Sequence, residues 1–165
     1  MNKLKILIAA FLLTASIAVT VSADESKDTY IHPEYVQYCE EIGGKYSLSP
    51  EVLEAMIETE SSGNPKAYNA GCCGLLQVDA GIHRDRMKRL GVTDIYDPYG
   101  NILVAADFLV ESFEKYGDDF GKILMIHNGT SGAKDRAVRN DFTDYANRIM
   151  DRAYELETLH GKHDY

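Results

Sequence analysis

A chain of 165 residues has the length of a single domain, and its 45% hydrophobic residues suffice for a real core. Its 17 basic and 26 acidic residues give a formal charge of −9 at pH 7, which argues against nucleic acid and anionic membrane surfaces as partners. The net charge is less informative on whether a neutral or mixed-charge polysaccharide is a partner.

Residues 1–23 have the pattern of a secretory signal peptide. Lys3 and Lys5 precede an apolar run, and Val21-Ser22-Ala23 forms a small-residue cleavage site. The run is also nearly long enough to span a bilayer, so an uncleaved N-terminal anchor is the alternative. We favour cleavage after Ala23, because polar residues follow at once. We therefore expect a secreted or cell-envelope protein without stable membrane insertion.

Residues 24–31 form a short polar leader, and helical patterning begins at His32-Pro33. The first predicted helix ends at Gly43-Gly44. A second begins at Ser49-Pro50-Glu51, where a serine cap precedes proline at the first helical position and an acid in the first turn. The loop Ser61-Ser62-Gly63-Asn64-Pro65 ends it.

Glu60 interrupts the apolar face of this second helix. Steps of about 100° per residue place four apolar residues on one face: Val52, Leu53, Met56 and Ile57. The opposite face, which we expect to be solvated, carries Glu51, Glu54 and Glu58. Glu60 falls on the apolar face, where desolvation would raise the pKa of its carboxyl and let it donate a proton. A frayed helix end whose glutamate turns to water is the alternative.

Residues 64–81 are rich in Gly, Asn and Pro, which predicts an irregular loop with one helical turn around Leu75-Leu76-Gln77. Residues 83–90 predict a basic amphipathic helix closed by Gly91. Asp97-Pro98 begins a long helix that Gly117 ends.

A shorter helix is predicted from Asp119 to His127 and is followed by a loop to Gly132. Asn140-Asp141 is predicted to cap the last helix. His160 and His163 have the spacing of metal ligands, but we expect a solvated tail over residues 161–165.

The three cysteines leave the redox state open. A disulfide between Cys39 and either Cys72 or Cys73 would leave one odd thiol, and three small buried thiols are the alternative. The chain has no second cysteine pair at a distance that suits zinc.

Five short motifs follow one another along the chain, in this order: Glu60-Ser61, Gly74-Leu75-Leu76-Gln77, Asp97-Pro98-Tyr99-Gly100-Asn101-Ile102, His127-Asn128-Gly129 and Tyr145. The series resembles the catalytic domain of the soluble lytic transglycosylase family, from about Tyr35 to about Glu157. The resemblance implies a mainly α, lysozyme-like helical domain with an irregular cleft loop, which we assign to residues 32–160.

The resemblance also implies an activity on peptidoglycan glycan strands. In the family, one glutamate protonates the MurNAc-(β1,4)-GlcNAc bond and then takes a proton from the C6 hydroxyl of the sugar, which leaves a 1,6-anhydroMurNAc end. Glu60 corresponds to this catalytic glutamate. The reaction needs no metal or organic cofactor, and we expect the protein to act as a monomer.

The same resemblance assigns the substrate-binding side chains Ser61, Gln77, His127, Asn128 and Tyr145. The amide of Gln77 could hold a sugar acetamido group or hydroxyl. His127 departs from the family pattern, which has a tyrosine whose hydroxyl points toward the acid. A charged histidine there would lower the pKa of Glu60. We expect Asn101 to pin a helix rather than to touch substrate.

Two other functions stay open. A hydrolytic muramidase on the same fold would need a second carboxylate to activate water, and Asp79 is the nearest candidate in sequence. The second alternative is a non-catalytic wall-binding module, which is plausible because His127 replaces the family tyrosine that points toward the acid.

Overall fold

The computed structural model describes residues 29–163, so the predicted signal of residues 1–23 and most of the polar leader lie outside the described part. The chain forms these elements, in order: α1 Pro33–Tyr46, α2 Pro50–Ser61, β1 Tyr68–Asn69, β2 Cys72–Cys73, β3 Val78–Asp79, α3 Arg84–Leu90, α4 Pro98–Tyr116, α5 Phe120–His127, α6 Ala133–Val138 and α7 Asp144–Leu159. The predicted mainly α class is confirmed. Between residues 29 and 163, no helix is both long and apolar enough to cross a bilayer.

Helix α2 lies at the centre of the domain. It packs against α1 on one side and α7 on the other, while α4 packs against α1 and α5. The apolar residues Leu53, Met56 and Ile57 are completely buried, as the spacing predicts. This central position places the last turn of α2, with Glu60, at the edge of the core.

The prediction that the opposite face of α2 is solvated is wrong. Glu51, Glu54 and Glu58 are only 2%, 1% and 7% exposed. Helix α7 packs against α2, and Arg152 of α7 donates from Nε to Glu58 Oε2 at 2.7 Å. Glu58 is thus buried with a charged partner, which is what a buried carboxylate requires.

The residues after α7 remain largely exposed but are tethered to the domain by charged contacts. His160 Nδ1 lies 2.8 Å from Glu51 Oε1, and Lys162 Nζ donates to Glu51 Oε2 at 2.7 Å. His163 Nε2 lies 2.8 Å from Glu157 Oε2. Within residues 29–163, no group of three or more His, Cys, Asp or Glu side chains is arranged to hold a metal ion. The solvated tail predicted for residues 161–165 is therefore held against α2 and α7 as far as residue 163.

Helix α1 does not end at Gly43-Gly44 but continues to Tyr46, and Ser47 follows in the left-handed conformation. Gly43 is buried, and a Cβ atom at this position would lie 2.8 Å from the carbonyl oxygen of Leu48. The glycine is therefore needed for close packing of the following loop.

Two helix starts also differ from the predictions. Ser49 precedes α2, but its side chain makes no cap hydrogen bond. Its hydroxyl lies instead within 2.7 Å of a carboxylate oxygen of Glu51 and of Glu157 and donates its one proton between them. Helix α7 begins at Asp144, where the Thr143 side chain accepts a hydrogen bond from the Ala146 amide. The predicted Asn140-Asp141 cap is therefore wrong.

The sequence does not predict α6, because its six residues are too few to show a helical period. Arg136 in this helix donates to the Asp141 side chain at 3.2 Å. Asp141 therefore has an ion-pair partner instead of capping α7.

The segment after α2 contains a small antiparallel sheet in the order β1-β2-β3, within what the sequence predicts as an irregular loop. Tyr68 pairs with Cys73, and Cys72 pairs with Asp79. Strands of two residues show no alternation that a sequence pattern could reveal. The thiols of Cys72, Cys73 and Cys39 are free, so the described structure contains no disulfide among them.

Asn101, which is fully buried in α4, holds this segment in place. Its Oδ1 accepts a hydrogen bond from the Leu76 amide at 2.8 Å, and its Nδ2 donates to the carbonyls of Cys73 and Ile95 at 2.9 Å. Gly74 has a φ of +75°, and a Cβ atom there would collide with the Asn101 amide. Asn101 therefore has a structural role, but it holds the segment of the small sheet against α4 rather than pinning a helix.

Candidate active site

A cleft of about 430 Å³ opens at the C-terminal end of α2. Five of the six residues that the sequence assigns to the site line it: Glu60, Ser61, Gln77, His127 and Asn128. The sixth, Tyr145, contacts Glu60. Three separate parts of the chain therefore meet here: the end of α2, the segment with the small sheet, and the end of α5.

A second cavity, of about 360 Å³, lies beside α3 and is lined in part by Arg86, Arg89 and Glu111. Both arginines form ion pairs with Asp107 of α4, and Arg86 also pairs with Glu111. These charged groups have structural partners, so the cleft at Glu60 is the stronger candidate for an active site.

The two carboxylate oxygens of Glu60 have different surroundings. The hydroxyl of Tyr145 donates a hydrogen bond to Oε1, and His127 Nε2 lies 3.5 Å from the same oxygen. No hydrogen bond from residues 29–163 reaches Oε2. The Glu60 side chain is 15% exposed, so Oε1 anchors the carboxyl while Oε2 is left for another partner.

Tyr145 lies in the first turn of α7, which packs against α2. Burial, the charge of Glu60 and the hydrogen bond to Glu60 all raise the pKa of Tyr145. Its hydroxyl therefore remains a protonated donor at any pH at which the protein would work. The sequence places Tyr145 on the far side of the cleft. In the structure, the Tyr145 hydroxyl donates to Glu60. The resemblance expects a tyrosine at position 127 to supply this hydroxyl.

His127, the last residue of α5, is close to both Glu60 and the aromatic side chain of Phe108. Its side chain is 9% exposed, and its ring centroid lies 6.0 Å from that of Phe108. The ring centroids of Phe108 and His83 lie 5.0 Å apart. Burial and the nearby charges of Arg86 and His127 lower the pKa of His83. The Glu60 carboxyl thus has a phenol hydroxyl and an imidazole ring beside the same oxygen.

Gln77 and Ser61 also contribute to the architecture of the cleft. Gln77 has a left-handed φ of 46°, and its Nε2 donates to the Gly74 carbonyl at 3.0 Å. Its amide oxygen has no partner among residues 29–163 and is available to a ligand. The Ser61 hydroxyl donates to the Ile57 carbonyl at 3.2 Å, which is a contact within α2.

Asp79, the candidate second carboxylate, is not among the residues that line the cleft. Its Oδ1 accepts hydrogen bonds from the amides of Gly81 and Ile82 at 2.8 and 3.0 Å. This is the turn-capping role that a loop aspartate commonly has.

The Transglycosylase SLT domain family model matches residues 37–149 of the chain, which is well over half of its length. The chain belongs to this family. Membership confirms the resemblance and, together with the helical architecture, the predicted lysozyme-like fold class.

The chain is also 38% identical over 102 residues to a protein named Transglycosylase from Enterobacteria phage PRD1. The match covers 59% of this chain and 37% of the phage protein. The chain therefore spans little more than a third of the length of that relative.

The sequence does not assign five other lining residues to the cleft: Ser62, Ala67, Tyr68, Asn69 and Cys72. Tyr68, Asn69 and Cys72 belong to two-residue strands, where no periodicity marks them. The available signal is proximity, since all five lie between the Glu60-Ser61 and Gly74-Gln77 motifs.

Replacing Tyr145 with Phe should reduce cell-wall digestion by roughly tenfold, because the acid loses the hydroxyl that orients it. The thermal midpoint should change little, since the ring keeps its packing. A turbidity assay on purified walls measures the first quantity and a thermal melt the second. Tyr154→Phe is the matched control, because Tyr154 lies in the same helix, is 53% exposed and is not among the residues that line the cleft. Full activity of the Tyr145→Phe protein would refute the orienting role.

Proposed function

We propose that the SLT domain is a lytic transglycosylase that cleaves the MurNAc-(β1,4)-GlcNAc bond of peptidoglycan and leaves 1,6-anhydroMurNAc ends. The observation that carries the proposal is the setting of Glu60. Its carboxyl lies at the end of a buried helix, with Oε1 hydrogen-bonded to Tyr145 and Oε2 without a partner among residues 29–163. Family membership and the name of the phage relative support the same class of reaction.

In this mechanism, Glu60 first donates a proton to the glycosidic oxygen, and the bond between MurNAc C1 and that oxygen breaks. The released GlcNAc carries the proton as a C4 hydroxyl. The carboxylate then accepts the proton of the MurNAc C6 hydroxyl, whose oxygen attacks C1 and closes the 1,6-anhydro ring. The proton count of Glu60 is restored, and no water is consumed.

The other assigned residues bind the glycan strand. Gln77, with its amide oxygen unpaired among residues 29–163, is suited to accept a hydrogen bond from an acetamido N–H or a sugar hydroxyl. Ser61, His127 and Asn128 shape the same cleft. The proposed reaction is complete without a metal or an organic cofactor. Access to the cell wall requires export, for which the signal of residues 1–23 remains the prediction.

The muramidase alternative has less support. Hydrolysis needs a second carboxylate to activate water or to act as the nucleophile. Glu60 is the only carboxylate that lines the cleft within residues 29–163, and Asp79 is engaged in its own turn. The wall-binding alternative rests on the replacement of the family tyrosine by His127, and Tyr145 supplies a hydroxyl to Glu60 instead.

Mass spectrometry of digested peptidoglycan tests the proposal. We expect muropeptides lighter by one water, about 18 mass units, than the products of hydrolysis, because the C6 hydroxyl replaces water as the nucleophile. Products at the heavier mass that disappear with Asp79→Asn would establish the muramidase instead. Binding to walls without any digestion would establish the wall-binding module.

A further inference from the structure

Tyr68 is an exposed aromatic residue inside the cleft. It lies in β1, lines the same cavity as Glu60 and Gln77, and is 67% exposed. Most of a large, partly apolar side chain therefore faces water at the place where a ligand would bind. Aromatic rings that line a cleft are a common feature of ligand sites in proteins.

The fold does not account for this side chain. Five other tyrosines donate hydrogen bonds from their hydroxyls to protein oxygens, and these are Tyr30, Tyr38, Tyr46, Tyr99 and Tyr145. The Tyr68 hydroxyl donates to no atom of residues 29–163. Its ring is also absent from the buried core and from the partly buried residues packed against it.

The backbone of Tyr68 is nevertheless firmly placed. Tyr68 pairs with Cys73 across the small sheet, and the Gly74 amide donates to the carbonyl of Ala67 at 2.9 Å. The Cys73 carbonyl accepts from Asn101, which anchors the sheet to α4. An exposed ring on a backbone that is fixed in this way can bind a ligand at little conformational cost.

We propose that Tyr68 forms a stacking subsite for a pyranose ring of the glycan strand beside Glu60. The apolar C–H face of a sugar ring covers an aromatic face, and the phenol hydroxyl remains free to hydrogen-bond with a sugar hydroxyl. The proposal deepens the proposed function and rests on it for the identity of the ligand. Tyr68 is a binding residue in this scheme, so its loss affects substrate affinity more than the rate of the chemical step.

A fluorescence titration tests binding without reference to activity. The chain contains no tryptophan, so Tyr68→Trp introduces a single indole reporter. Titration with peptide-free glycan strands should shift its emission to shorter wavelength, because stacking removes water from the ring. Tyr154→Trp is the matched control, at an exposed position outside the cleft lining, and should show no shift. An unchanged spectrum of the Tyr68→Trp protein at strand concentrations that saturate binding would overturn the proposal.

Kinetics on the full chain separate this proposal from the proposed function. Tyr68→Leu should raise the KM for soluble glycan strands by roughly three- to tenfold with little change in kcat, and Tyr68→Phe should keep most of the affinity. A Tyr68→Leu protein with the wild-type KM overturns the stacking subsite while the transglycosylase stands. If the wild type binds strands without cleaving them and Tyr68→Leu weakens that binding, the subsite stands and the transglycosylase fails.

Discussion

Replacing Glu60 with Gln should abolish digestion of purified cell walls, with a loss of about 10²- to 10⁴-fold, while the domain stays folded. Glutamine has nearly the same shape but no transferable proton. Its amide oxygen can still accept the hydrogen bond that Tyr145 donates to Oε1, so the end of α2 keeps its anchor. Release of soluble muropeptides measures the activity, and a thermal melt reports the fold.

Glu111→Gln is the control for the loss of a carboxylate as such. Glu111 lines the second cavity, where it pairs with Arg86, and its side chain is 59% exposed. We expect this variant to digest walls at the wild-type rate. More than a small residual activity in the Glu60→Gln protein would show that another residue is the catalytic acid. A loss of activity in the Glu111→Gln protein would show that the second cavity is the active site.

Replacing Glu54 with Gln should change how the stability of the domain depends on pH. Glu54 is 1% exposed, and its Oε2 has no hydrogen-bond partner in the described part of the chain. Burial raises the pKa of its carboxyl to about 7. The charge of His160 opposes this shift, and the charges of Glu51, Glu40 and Glu58 add to it.

The sign of the effect follows from the two pKa values. An unfolded glutamate has a pKa of about 4.5, so between pH 4.5 and 7 the unfolded chain has released a proton that the folded domain still holds. The wild type therefore loses stability as pH rises through this range, by up to about 3 kcal/mol. Glutamine does not titrate, so the stability of the variant relative to the wild type should rise by that amount between pH 4.5 and 8.

Urea unfolding at pH 4.5 and pH 8 measures this difference. Glu51→Gln is the control with the opposite sign. Burial favours a raised pKa at Glu51, but hydrogen bonds from Lys162, His160 and Ser49 outweigh it and lower the pKa to about 2. Its contribution is lost only as pH falls from about 4.5 toward 2, so Glu51→Gln should destabilise the domain by nearly the same amount at pH 4.5 and at pH 8. Identical pH slopes for the wild type and Glu54→Gln would show that Glu54 does not titrate in this range.

The sequence predicts some residues of the site but not the contacts between them. The motifs identify Glu60, Gln77 and Asn128 as residues of one region, and the structure places them in one cleft. The contact between Tyr145 and Glu60 joins residues 85 positions apart, and it exists only because α7 packs against α2. Tyr68 lies in a strand of two residues, which is too short to leave a period in the sequence.

The sequence by itself determined the family, the mainly helical class and those helix ends that depend on neighbouring residues. The starts at Pro50 and Pro98 and the stops at Gly91 and Gly117 are correct, because a proline at the first helical position or a glycine with positive φ acts on its immediate neighbours. Such helix ends can be predicted from the sequence, because they depend only on residues that are close together in it.

Only the tertiary structure decided which faces are buried and which charges meet. Periodicity separates two faces of α2 but does not tell whether a second element covers the polar one. Helix α7 and the residues after it cover that face and bring Arg152 to Glu58 and Lys162 to Glu51. Burial depends on contacts between distant parts of the chain, so Glu51 and Glu54, which the sequence predicts to be solvated, become buried groups whose pKa values shift in opposite directions.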